Sequence, residues 1–389
     1  MTPALRSAAL LAALGAGWIA AWQLGLREVD ESSAYSFFIT ALLGFGLYAS
    51  TSGIVIEEFR RELRTVVVAV TLGVLAKVAL IFAVMFLVYR QPEHLVFAVA
   101  VAQIDPLSVA AVRTKSKMSD SAKALLSAWA SFDDPITVLL TVYITSFALQ
   151  GGTVGGFGAF TVNFALNLAL AGGAFLLWLL VRRRGVTITG RGARLAVHAV
   201  SAVVVVVIGY VAVSFSLLLA LALIGLFFRP DLGKWVDGLA EVGMFAATFA
   251  VGLVLAFEFS WVLAGVGAVL GAAAFFAQGA VAWVLTLPKR WRGDRMRLSL
   301  GQQNGLTAII LALLLEPTFP GAIAVVAPAV VVVNLLHAFA NGTYDRLQPP
   351  KPEAVEEPEK AEPAPEPVPQ PALRPAAVRV NRPKRVPQF

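Results

Sequence analysis

Long apolar runs, each closed by a short polar or Gly/Pro-marked break, organise the chain up to about residue 340. A helix of roughly 20 apolar residues spans the hydrocarbon core of a bilayer. The breaks predict twelve such helices, over 7–26, 34–55, 65–89, 95–112, 122–148, 155–181, 194–212, 214–228, 236–257, 259–287, 298–315 and 320–340. The weakest division lies around Tyr210–Ser216, where almost nothing polar separates two runs. Arg6 before the first run gives it the outline of a cleavable leader. Its length favours a retained span.

The breaks alternate in charge. Glu57, Glu58, Arg60, Arg61, Glu62 and Arg64 follow the second run, and Arg113, Lys115, Lys117 and Lys123 follow the fourth. Arg182, Arg183, Arg184, Arg191 and Arg194 follow the sixth, Arg229 and Lys234 the eighth, and Lys289, Arg290, Arg292, Arg295 and Arg297 the tenth. The intervening breaks are nearly free of Lys and Arg. Basic loops mark the cytoplasmic side of a membrane protein, so both termini are expected in the cytoplasm. A missed or spurious helix would break the alternation, which supports an even count.

Composition agrees. Hydrophobic residues make up 58% of the 389 residues, charged residues 14%, and mean hydropathy is +0.77. A soluble domain carries about 25% charged residues, so lipid is the expected solvent. The net charge of +7 is accounted for by the cytoplasmic loops, without a nucleic-acid partner. The chain has no cysteine and only His94, His198 and His337, far apart. Disulfides, thiol nucleophiles and thiolate metal sites are excluded, and nothing suggests a resident cofactor. The expected organisation is a transmembrane domain over 1–345 and a Pro/Glu/Arg-rich cytoplasmic tail over 346–389. That tail has few large apolar residues and reads as disordered. Its basic end (Arg374, Arg379, Arg382, Lys384, Arg385) is also suited to attraction by anionic lipid.

A charge at the bilayer centre costs about 2.5–3.5 kcal/mol on insertion scales, so charged residues within the runs are candidates for function. They are Lys77, Asp105, Asp133, Asp134 and Glu241. The last is close enough to a span end to snorkel. Asp105 precedes Pro106 and Asp134 precedes Pro135. An internal proline frees a backbone carbonyl, which a membrane tolerates only where protein or a watery cavity satisfies it. Gln103-Ile104-Asp105-Pro106 therefore predicts a broken helix lining a site. Gly301-Gln302-Gln303-Asn304-Gly305-Leu306-Thr307 predicts a second break, and in the deduced topology its span runs antiparallel to the first. Broken helices at corresponding positions of inverted repeats form the binding sites of many transporters.

Adjacent buried carboxylates cannot both ionise freely, and a small hard cation prefers oxygen ligands. Asp133 and Asp134 are thus candidates for a site where a transported monovalent cation and protons compete. They project about 100° apart on a helix, so both ligate only near their shared edge.

These residues resemble the monovalent cation/proton antiporter superfamily, over most of 34–340 and most sharply from Phe97 to Val142. Ala102-Gln103-Ile104-Asp105-Pro106 is similar to the family's Thr-Asp-Pro unwound segment, with isoleucine in place of the threonine. Phe132-Asp133-Asp134-Pro135 is similar to its acidic ion-binding motif. The resemblance implies an all-α sodium/proton antiporter-like fold with two crossed broken helices, a dimerisation domain, homodimers and elevator-like movement. It implies Asp134 as the main cation and proton carboxylate, with Asp133 as its partner and Asp105 in the site. Gln103, Ile104, Pro106, Gln303, Asn304 and Thr307 would supply the broken-helix and polar lining. The expected activity is exchange of Na+, Li+ or K+ for protons in a bacterial inner membrane, without enzymatic chemistry. A sodium-coupled solute symporter on a related scaffold is the alternative.

The sequence departs from the family in two places. The lysine that commonly pairs with the first aspartate from the tenth helix is missing, and only Gln278 stands at comparable depth. Trp129 occupies the position where many members carry a glutamate. Lys77, mid-span on the third helix, is the candidate charge partner in compensation.

Overall fold

The computed structural model describes residues 3–52, 63–106, 109, 116–149, 155–185, 191–229 and 234–347. Residues Met1–Asp345 form one compact unit, and Arg346–Phe389 form a second, of which only residues 346–347 are described. The charged stretch Glu57–Glu62, Arg113, Lys115 and nearly all of the predicted tail lie outside the described residues.

The described residues carry helices and no strand. They are α1 (Pro3–Leu24), α2 (Ser33–Ser52), α3 (Leu63–Tyr89), α4 (His94–Val101), α5 (Asp120–Leu149), α6 (Gly155–Gly185) and α7 (Arg191–Ser214). The next are α8 (Leu218–Phe227), α9 (Lys234–Glu258), α10 (Trp261–Leu285), α11 (Arg295–Leu300), α12 (Leu306–Leu315) and α13 (Ala322–Leu347). Seven of them contain stretches long and apolar enough to cross a membrane, on α2, α3, α5, α6, α9, α10 and α13. Of the other predicted runs, those at 7–26 and 194–212 carry the continuous helices α1 and α7, of 22 and 24 residues, while α8 is shorter and α4 and α11–α12 are interrupted. The predicted 214–228 run is helical only from Leu218, because the chain turns through Ser216 at φ 53°.

Small residues let these helices approach closely, as membrane helix pairs require. A side chain at Gly17 or Gly252 would strike the backbone of the facing helix, so α1 and α9 pack backbone to backbone. Gly267 and Gly271 do the same for α10 against Val325 and Ala329 of α13. The outward faces are apolar: Leu72, Leu176, Val206, Val262 and Phe339 are exposed. An apolar exterior over a buried polar centre is the arrangement lipid selects.

Three local departures from regular helix position the centre. In α3 a π-turn over Ala69–Gly73 inserts an extra residue one turn before Lys77 and re-aims the remainder of the helix. The chain leaves helix after Val101, passes through Gln103, Ile104 and Asp105, and re-enters a helical turn at Pro106. It leaves helix again between Leu300 and Leu306. Pro135, by contrast, does not break α5, which runs through it. The carbonyl it frees, Ser131 O, lies 3.5 Å from the Ser50 hydroxyl of α2, which donates to it.

Candidate functional site

The two interruptions meet. The Asp105 N–H donates to Gln303 O at 2.8 Å, so one non-helical strand of backbone hydrogen-bonds the other. The open helix ends are then satisfied in kind. At the carbonyl end of α4, Val101 O accepts from Asn304 Nδ2 at 2.6 Å and from Gln278 Nε2 at 3.3 Å. At the carbonyl end of α11, Leu300 O accepts from His337 Nδ1 at 2.9 Å and Asn341 Nδ2 at 2.7 Å. The amide end of α12 faces a carboxylate: Gly305, its N-cap, lies directly against Asp105, leaving no room for a Cβ. An anion at a helix N-terminus and amide donors at helix C-termini both match the macrodipole.

Asp133 and Asp134 sit mid-way along α5, and both are buried. The 100° between them sends them to different partners. Asp133 Oδ2 accepts from Lys77 Nζ at 2.7 Å, with both side chains wholly inaccessible. Asp134 Oδ2 accepts from the Thr307 hydroxyl at 2.9 Å, and Asp105 is its strongest charged neighbour. Thr137, one turn on, places its hydroxyl 3.0 Å from Asp133 O, 2.9 Å from Asp134 O and 3.2 Å from Gln103 Oε1. It ties α5 to the first interruption.

Asp133 Oδ1, Asp134 Oδ1 and Gln103 Nε2 are buried without a hydrogen-bond partner among the described residues. Buried polar atoms are normally paired, and two unsatisfied carboxylate oxygens in an apolar bundle are what a proton or a small cation would relieve.

The sequence-predicted residues fall into four groups. Asp105, Asp134, Thr307 and Gln303 gather where the interruptions meet, with Ile104 and Gln103 buried beside them. Lys77 reaches Asp133 from α3. Gln278 bonds no aspartate: its amide donates to Val101 O, Gln103 O and, at 2.6 Å, Asn304 Oδ1, bridging both interruptions. Glu241 is half-buried on α9 and makes no ion pair among the described residues. Thr137, Asn334 and His337 were not foreseen. Asn334 Nδ2 donates to Asn304 O at 2.8 Å. Thr137 carried a faint signal, lying three and four residues after the aspartates and hence on their face.

No protein-family model matches this chain, and no curated protein does. Among solved structures, the chain is similar to the sodium proton antiporter MjNhaP1 from Methanocaldococcus jannaschii, solved at pH 8. The similarity covers 87% of this chain and 97% of that one, with a TM-score of 0.55 and 14% identity. At that identity the likeness is one of fold: the chain is a multi-pass helical membrane protein folded like this antiporter.

Proposed function

We propose that the protein is a secondary active transporter that exchanges a monovalent cation, Na+, Li+ or K+, for protons by alternating access. The observation that carries the reading is Asp134: a carboxylate buried in an apolar bundle, with one unpartnered oxygen, where two interrupted helices meet. The fold shared with a sodium proton antiporter supports it.

In this reading the chain crosses the bilayer twelve times, with both termini cytoplasmic, and works as a homodimer. The segments around Asp105 and Asn304 are its crossed broken helices. Asp134 holds the exchanged proton. When a cation arrives, the proton leaves, and the Asp134 carboxylate, the Thr307 hydroxyl and the Asp105 carboxylate supply oxygen ligands. Asp133 stands beside this site with one oxygen met by Lys77, and its other oxygen, which has no partner among the described residues, is open to the cation as well. The cation and the proton exclude each other because each satisfies the same carboxylate, which is the requirement for exchange.

The test is proton flux in everted membrane vesicles on addition of Na+, Li+ or K+, for the wild type and Asp134→Asn. The wild type should release protons on adding at least one cation, and Asp134→Asn should not. Absence of any cation-driven flux in the wild type, or undiminished flux in the variant, overturns the reading.

A further inference from the structure

The Lys77 ammonium has a second neighbour besides Asp133. Trp129 lies one turn before Asp133 on the same face of α5, is fully buried, and holds its ring centroid 5.8 Å from Lys77 Nζ. Its indole Nε1 is buried, and the N–H is directed towards the Asp133 carboxylate. Here an aromatic face is presented to a buried cation, and the indole N–H is directed towards that cation's counter-ion.

The consequence rests on the antiport reading above. If a transported cation draws on Asp133 as well as Asp134, Lys77 loses its counter-ion in a dry interior. A bare buried ammonium costs several kcal/mol, so the lysine must either release its proton or find another seat. The face of an indole is the strongest aromatic seat for an ammonium, and it gains strength on desolvation. It stands within reach of the lysine's terminal torsions.

We propose that Trp129 is a positioning residue whose ring receives the Lys77 ammonium when the cation engages Asp133, so that Lys77 stays charged and one proton moves per monovalent cation. The charges balance. The proton-loaded site holds Asp133 and Lys77 as an ion pair and Asp134 neutral. The cation-loaded site holds two carboxylates, Lys77 and the cation. With Asp105 unchanged between them, the two states carry the same total charge, and the single proton released is that of Asp134.

The experiment uses the purified full-length chain in proteoliposomes, with Na+, Li+ and K+ each as the probe. Flux driven by the active cation should not respond to an imposed membrane potential. Trp129→Leu should raise the cation KM about tenfold, equivalent to about 1.4 kcal/mol, while Trp129→Phe, which keeps an aromatic face, should raise it no more than about threefold. In a Lys77→Met background the effect of Trp129→Leu should shrink below about twofold. A potential-dependent wild type, or an equal effect of Trp129→Leu with and without Lys77, overturns the proposal. The same variants are also melted in detergent. There Trp129→Leu and Lys77→Met should be non-additive, and additive shifts sink the Trp129–Lys77 coupling even if transport is lost. Wild-type liposomes with no cation-driven flux would instead remove the antiport reading, leaving the coupling to be judged by melting alone.

Discussion

The sharpest energetic test of the centre is to remove Lys77 alone. The Lys77–Asp133 pair is 2.7 Å long, and neither side chain reaches solvent. Surface ion pairs contribute about 0–1 kcal/mol, but breaking a buried one typically costs about 3–5 kcal/mol, because the orphaned partner stays in the interior. Lys77→Met keeps most of the volume and removes the charge, so it isolates that cost. If the unit ending at Asp345 melts cooperatively, an unfolding entropy of about 2.1 cal/mol/K per residue converts the loss into a drop of roughly 4–7 °C. The decisive comparison is the double variant Lys77→Met, Asp133→Asn, in which no charge is left unpaired. It should recover all but about 2 °C of the loss. Melting the four proteins in one detergent at one pH completes the cycle. A Lys77→Met protein melting within about 1 °C of the wild type, or a double variant no better than the single, would refute a closed buried ion pair.

Three further outcomes rest on named contacts. Gly305→Ala places a methyl group where the Asp105 carboxyl sits, so vesicles should lose at least about tenfold in cation-driven proton flux at equal expression; an unimpaired variant means the two interruptions do not need that approach. Thr307→Val removes a hydroxyl donor from the Asp134 carboxylate, and a hydrogen bond to a charged group contributes about 1.5–3 kcal/mol. The cation KM should therefore rise roughly tenfold or more, and an unchanged concentration dependence of flux would count against Thr307 as a ligand-holding residue. Glu316, in the connection between α12 and α13, accepts from the Gly321 and Ile323 N–H groups at 2.6 and 2.7 Å, and burial pushes its carboxyl up to about 7 from the usual 4.5. A carboxyl raised on folding holds its proton in the folded state while the unfolded state has released it. Stability is then fullest below about pH 4.5 and falls as pH rises towards 7, by up to about 1.4 kcal/mol per unit. Glu316→Gln should flatten melting temperature between about pH 5 and 8, and a slope equal to the wild type's would assign the dependence elsewhere.

Much of the centre was legible because membranes make polarity expensive. Asp105, Asp133, Asp134 and Lys77 stood out against apolar runs, and Gly301–Thr307 stood out as amides between glycines. Helix ends were legible where a charge or glycine marked them, as at Arg90 and Gly155, and less so at Tyr210–Ser216, where a left-handed Ser216 makes the turn without a polar break. Proline was an ambiguous guide. Pro106 accompanies a true interruption, while Pro135 sits in continuous helix because Ser50, from another helix, answers the carbonyl it frees. Proline predicts a vacant acceptor; whether the helix breaks depends on a donor that lies elsewhere in the sequence.

The division of labour between Lys77 and Gln278 shows why the remaining geometry could not be read in advance. Their helices, α3 and α10, pack together, with Gly73 against Val281 and Leu285. The direction of Lys77 depends on the π-turn at Ala69–Gly73, which adds a residue and rotates the rest of α3 by about 100°. Hydrophobic periodicity carries no sign of that turn in a helix apolar on nearly every side. Gln278 differs because its surroundings are neutral: two main-chain carbonyls and the Asn304 amide oxygen. Such acceptors are met by an amide at little cost, whereas a lysine there would bury a charge with no carboxylate to receive it. The cation therefore sits on α3, where Asp133 turns its carboxylate, and the neutral donor sits on α10, where the helix ends expose carbonyls. Each residue type is set by the charge of the groups it faces, so exchanging them, Lys77→Gln with Gln278→Lys, should be worse than either change alone. The melting temperature of the double exchange decides it, and recovery towards the wild type would mean the two positions share one partner.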